Sequence, residues 1–187
     1  MAGFPMPGVE IDIFDPDDKP VPHDNTSVGE VVVQADNVMA GYWKLPEETA
    51  NVMRNGWFHT GDMATVDEHG YFLIVDRKKD IIISGGENIA SIEVEKAVYS
   101  HPAVFECAVV AVPDDRWGEV PKALVVVKPG ESLTGEEVID HCRTILPGFK
   151  VPKSVEFLDT LPKGGTGKIL KKELREKYWQ GYETRVH

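Results

Sequence analysis

Two stretches of this chain, Phe105–Val112 and Ala123–Val127, are apolar at nearly every position. A strand with one wet face alternates apolar and polar residues, so runs of this kind fit strands covered on both faces. Cover has to come from helices nearby in the chain. Ser91–Tyr99 reads as an amphipathic helix with Ile92, Val94, Ala97 and Val98 apolar, Gly135–Leu146 as a second, and Leu170–Trp179 as a basic C-terminal third. Asp80–Ile83 and Ser154–Leu158 add short strands. Interleaved strands and helices over residues 79–187 predict a compact α+β domain.

Residues 1–78 read differently. Val9–Phe14 alternates with period two into the turn Asp15-Pro16-Asp17-Asp18, and Val28–Val33 is a second strand. Pro46 opens a short helix with Glu47 and Glu48 in its first turn, where negative charge is welcome. Asn55-Gly56 is a turn, and Tyr71–Val75 is a strand after the turn at Asp67–Gly70. This front part is expected to be β-rich, with strand edges and apolar faces that self-associate when left uncovered.

Charge separates the same two parts. The chain carries 31 acidic and 20 basic residues, a net charge of −11. Residues 1–76 hold 3 Lys/Arg against 14 Asp/Glu, so 17 of each remain for the rest. The overall sign excludes a general nucleic-acid or anionic-membrane binder, while the neutral C-terminal part suits polyanionic ligands better. Cys107 and Cys142 make no disulfide framework, Cys107 reads as a buried small hydrophobe, and no Cys/His cluster has metal spacing. No stretch is long and apolar enough to span a membrane, and the start lacks a signal peptide, so a cytoplasmic protein is expected.

Three blocks carry chemistry. In Trp57-Phe58-His59-Thr60-Gly61-Asp62, a carboxylate at the end of a strand can accept hydrogen bonds from both hydroxyls of a ribose; alone, the triplet is a turn. Asp76-Arg77-Lys78-Lys79-Asp80 offers a guanidinium that can bridge ribose and phosphate oxygens, or can pair with Asp76 or Asp80 at the surface. It runs on to Ser84-Gly85-Gly86-Glu87-Asn88-Ile89, whose glycines mark a bulge or turn, or let a thin extended ligand pass against the backbone. The third block is Leu161-Pro162-Lys163-Gly164-Gly165-Thr166-Gly167-Lys168-Ile169-Leu170. A phosphate-cradling Walker loop needs glycine at 162 and Ser/Thr at 169, and Pro162 and Ile169 defeat that reading. What remains is a glycine-rich tip ending in Lys168, either a cation delivered to a site or a solvated hairpin.

In this order and spacing the blocks resemble the C-terminal portion of the adenylate-forming superfamily, which includes acyl-CoA synthetases, firefly luciferase and peptide-synthetase adenylation domains. Gly29-Glu30 through Gly41-Tyr42, with Pro46-Glu47 and Thr49, is similar to the segment before the ribose-binding triplet. The resemblance implies that Asp62 holds the AMP ribose, Arg77 contacts the nucleotide, Lys79 is the interdomain hinge, Gly85 and Gly86 line the CoA pantetheine tunnel, and Lys168 assists adenylation. It implies a β-rich remnant of a distorted barrel (1–78), belonging to a large N-terminal domain, followed by a mobile α+β domain (79–187). The implied reaction joins a carboxylic acid, in the fatty-acid branch of the family, to CoA through an acyl-adenylate. ATP with Mg²⁺ and CoA act as substrates, without a tightly bound cofactor. The family's Ser/Thr/Gly-rich phosphate loop, its Tyr-Gly-x-Thr-Glu segment and its acyl pocket do not occur here, and Met1–Gly8 is expected to start just downstream of them. A fragment inactive alone follows from that, with a non-catalytic CoA- or partner-binding module as the alternative.

Overall fold

A computed structural model describes residues 5–182. The chain divides between Lys79 and Asp80 into two compact units.

The first unit is an antiparallel sheet. Strands β1 (Val9–Phe14), β2 (Gly29–Ala35), β3 (Met53–Arg54), β4 (Trp57–Val66) and β5 (Phe72–Arg77) lie in the order β1-β2-β4-β3, with β5 also on β4. Period-two alternation turns Ile11 and Ile13 with Val31 and Val33 onto one cluster that also takes Val21, Ala64, Val66 and Phe72. Helix α1 (Pro46–Val52) opens with proline and two glutamates and buries no residue. Asn55 (φ 52°) and Gly56 (φ 84°) make the left-handed two-residue turn that joins β3 to β4. The sequence places Asp62 at a strand end, but β4 runs four residues beyond it. Asp62 stands in the middle of this ten-residue strand. Gly61 bends it (φ 74°), and register shifts flank the site between Glu30 and Val32 on β2 and between Met63 and Ala64 on β4.

The second unit is α+β, as its periodicity predicts. Strands β6 (Ile82–Ser84), β7 (Glu87–Ile89), β8 (Val104–Asp114), β9 (Gly118–Val127) and β10 (Ser154–Phe157) form one sheet ordered β10-β9-β6-β7, with β8 on the other side of β9. Helices α2 (Ser91–Tyr99) and α3 (Gly135–Arg143) cover one face, packing Val94, Val98, Val138 and Cys142 on Val109, Ala111, Ala123 and Val125. Helix α4 (Lys171–Glu176) and the segment before it cover the other, placing Leu161 and Leu174 on Ala108, Val110, Leu124 and Val126. Neighbouring residues of β8 and β9 thus enter opposite clusters, which is why both runs are continuously apolar.

Helix α3 starts at a capping box, where Glu137 N–H donates to Thr134 Oγ1 (3.3 Å) and Thr134 N–H donates to Glu137 (2.8 Å). It stops at Arg143, short of the expected Leu146, because Pro147 disfavours helical geometry in the residue before it. Cys142 is buried, while Cys107 is half-buried, its thiol pushed up to about 12 by burial and by the nearby Glu95 carboxylate. Among the described residues no helix is long and apolar enough to cross a membrane, and no cluster of three or more His, Cys, Asp or Glu could hold a metal ion.

Candidate functional site

In the first unit Asp62 and Arg77 are register partners across β4 and β5. Arg77 Nε lies 2.7 Å from Asp62 Oδ1, and both side chains remain open to solvent. The pairings with Asp76 or Asp80 that the sequence left open are thereby resolved. Asp76 instead accepts the backbone N–H of Arg77 (2.7 Å), and Asp80 pairs with Arg175. The arrangement presents a carboxylate and a guanidinium side by side, with the polarity to meet ribose hydroxyls and an adjoining phosphate.

Beneath this pair is a residue to which the motifs assign no role. Glu30, buried on β2, accepts the backbone N–H of Gly61 at 3.0 Å and takes Lys78 Nζ at 2.9 Å. His59 Nδ1 is 3.1 Å from the same carboxylate and 2.8 Å from the Arg54 guanidinium. Burial presses the Glu30 carboxyl upward, but Lys78, His59 and the Gly61 amide outweigh it and hold it below the usual glutamate value. Thr60 adds its own brace, donating its hydroxyl to Val31 C=O (2.8 Å) and accepting the Asp62 amide (3.1 Å). The bent part of β4 that aims Asp62 is therefore fixed from below by a charge-assisted network.

Lys79 is exposed in a single 3₁₀ turn, Lys78–Asp80. Its neighbours are anchored differently, Lys78 to Glu30 in the first unit and Asp80 to Arg175 (2.9 Å) in the second.

In the second unit Gly85 and Gly86 form the turn between β6 and β7, both with positive φ (60° and 87°). Their roles differ. A Cβ on Gly85 would lie 2.6 Å from Trp117 Cε3, whereas one on Gly86 would meet nothing within 4 Å. Gly85 thus admits the indole of this same chain, and Gly86 alone borders open space.

Lys168 lies exposed near the end of a hairpin closed by Gly164 N–H to Lys168 C=O (2.8 Å), Gly167 N–H to Gly164 C=O (2.9 Å) and Leu170 N–H to Pro162 C=O (2.8 Å). Its ammonium has no ion-pair partner among the described residues, while Lys163 is tied to Glu106 on β8. The glycine-rich tip is a shaped hairpin held to the sheet rather than an unstructured loop. Glu106 is opposite Val126 on β9, whereas Trp117 and Gly118 sit at the far end of the same ladder. Eight steps of about 3.3 Å along β9 put the two attachment points roughly 26 Å apart.

Comparison with known proteins agrees with this architecture. Residues 93–168 match the AMP-binding enzyme C-terminal domain. A feruloyl-CoA synthase of Amycolatopsis sp is 54% identical over 177 residues, covering 95% of this chain and 36% of that protein. A peroxisomal trans-cinnamate:CoA ligase of Petunia hybrida is 51% identical over 156 residues, covering 83% and 27%. Among solved structures, ATP-bound MatB from Rhodopseudomonas palustris superposes with a TM-score of 0.85 at 38% identity, over 92% of this chain and 34% of that one. The o-succinylbenzoate CoA synthetase of Bacillus subtilis, in complex with its acyl-adenylate, gives 0.83 at 36% identity over 92% and 35%. The chain spans about a third of the length of these relatives.

Proposed function

We propose, from the premise that this chain belongs to the AMP-binding enzymes whose C-terminal domain it carries, that it serves as the C-terminal portion of an acyl-CoA ligase. A carboxylate attacks the α-phosphate of Mg-ATP, giving acyl-adenylate and pyrophosphate, and the CoA thiol then takes the acyl group and releases AMP. Asp62 receives the ribose hydroxyls, and Arg77 bridges ribose and phosphate. Lys168 places a fixed positive charge beside oxygens that gain negative charge in the first transition state. Gly86, with open space at its Cα, borders the path of pantetheine, and Gly85 shapes the turn around it.

The observation that carries this reading is the placement of the Lys168 hairpin and the Gly85–Gly86 turn at opposite ends of the β8–β9 ladder. A rigid sheet with two such ends can serve two chemical steps only one at a time, which supports a swing about Lys79 between them. The relatives named for ferulate and cinnamate favour an aromatic propenoic acid over the fatty acid that the motifs alone suggested.

The test is the full-length ligase bearing this sequence, assayed separately for ATP–pyrophosphate exchange and for thioester formation from preformed adenylate, with ferulate, cinnamate and a long-chain fatty acid. Lys168→Ala should lower exchange by roughly 10²–10³ and leave the second step within a few-fold. The 187-residue chain by itself should make no acyl-CoA. Equal loss in both steps, or product from the chain alone, overturns the assignment.

A further inference from the structure

Trp117 and the first two residues of β9 hold three consecutive residues of β6 and its turn. Glu119, with no exposed surface, accepts the Ile83 backbone N–H through Oε2 at 3.1 Å. Gly118 is the register partner of Ser84. Trp117 accepts the Gly85 N–H on its carbonyl at 2.8 Å, and its ring occupies the space that a Gly85 side chain would need. Backbone pairing between β6 and β9 is confined to this point, since Ser84 and Gly118 make the one residue pair in register between them. A carboxylate therefore takes the place of further ladder bonds. Glu119 is the second residue of β9, and the next residue, Val120, is buried in the hydrophobic cluster under α4. A buried acidic group in such a position carries a desolvation cost that packing alone does not repay.

We infer that Glu119 is a positioning residue for the thioester-forming step: with Trp117 and Gly118 it forms a template that sets the height and direction of the Gly85–Gly86 turn. This rests on the proposed role of that turn toward CoA. Glu119 touches no reacting atom and acts through the Ile83 amide. Misplacing a substrate-guiding backbone by about 1 Å can cost on the order of 10²-fold in rate, so its effect should fall on one half-reaction.

The test compares Glu119→Met, which keeps the bulk and removes the acceptor, with Glu119→Gln, which keeps an acceptor oxygen. In the 187-residue chain, amide exchange at Ile83 should accelerate at least tenfold in E119M, stay near wild type in E119Q, and leave the central β8–β9 amides unchanged. In the full-length ligase, E119M should slow thioester formation from preformed adenylate by roughly ten- to a hundredfold. Adenylation should stay within threefold, and E119Q should restore most of the loss. Should E119M not fold, Glu119→Asp, which shortens the reach by one methylene, replaces it with the same expectations. Unchanged Ile83 exchange, parallel loss of both half-reactions, or an E119Q variant as impaired as E119M overturns the inference. A wild-type ligase that forms no thioester at all would sink the functional reading instead, and the Ile83 exchange would still decide whether Glu119 sets the turn.

Discussion

The Arg175 guanidinium on α4 lies 2.9 Å from the Asp80 carboxylate, with the two side chains only 12% and 11% exposed. The pair joins the first residue of the second unit to the helix that follows the Lys168 hairpin. Removing one member takes from the other its partner in a largely buried ion pair, a loss on the order of 3 kcal/mol. Asp80→Asn and Arg175→Met should each lower the unfolding free energy of the second unit by about that amount, and the double variant should lose less than the sum. Denaturant titration with a double-mutant cycle measures this, and strict additivity would refute the coupling.

Acid should weaken the first unit through Glu30. Its carboxyl is held below the ordinary value of 4.5, so it binds its proton more weakly folded than unfolded. The resulting stabilisation is complete above about 4.5 and is lost as pH falls through the depressed folded value. Glu30→Gln should flatten the acid limb of first-unit stability between pH 5 and the acid end of the titration, and Lys78→Met should shift that limb toward higher pH. Melts followed through first-unit amide signals at a series of pH values provide the check.

The glycine pair should respond unequally to a methyl group. Gly86→Ala brings only the left-handed backbone penalty, about 1 kcal/mol. Gly85→Ala adds the encounter with the Trp117 ring at 2.6 Å, roughly 1–3 kcal/mol more, as expected for overpacking. Equal destabilisation in chemical denaturation would show that the indole yields freely.

Leu73 and Ile74 on β5 are each 45% exposed, and among the described residues β5 pairs with β4 alone. Such an edge should recruit a second copy in concentrated solution. Sedimentation of the 187-residue chain should show concentration-dependent association, and Leu73→Lys should shift the distribution toward monomer. A wild-type chain that stays monomeric at high concentration would count against this surface.

Much of the second unit was legible because its core obeys simple periodicities. The runs in β8 and β9 are explained by two opposed clusters, and α2 shows its apolar stripe directly. Strand β4 escaped because Gly61 and Asp62 interrupt it with residues that usually mark a turn, and tertiary pairing on both sides overrides that signal. The two glutamate braces escaped for another reason. Gly29-Glu30-Val31 and Gly118-Glu119-Val120 share the same three residue types, and in each the glutamate is buried and accepts a backbone N–H from a strand that carries or adjoins candidate functional residues. A lone acidic residue leading a valine-rich strand was the available signal. Nothing local says which distant amide it will meet.

Lys78 is held by Glu30 within the first unit and Asp80 by Arg175 within the second, so an ion pair flanks Lys79 on either side. Each residue contributes only two soft backbone angles. In the swing proposed above, a rotation that keeps both ion pairs would be taken up by the backbone of the single 3₁₀ turn Lys78–Asp80, whose hydrogen-bond geometry is poorer than that of an α-helix. On that proposal the two ion pairs are clamps that keep each unit's end of the turn intact while the turn itself changes.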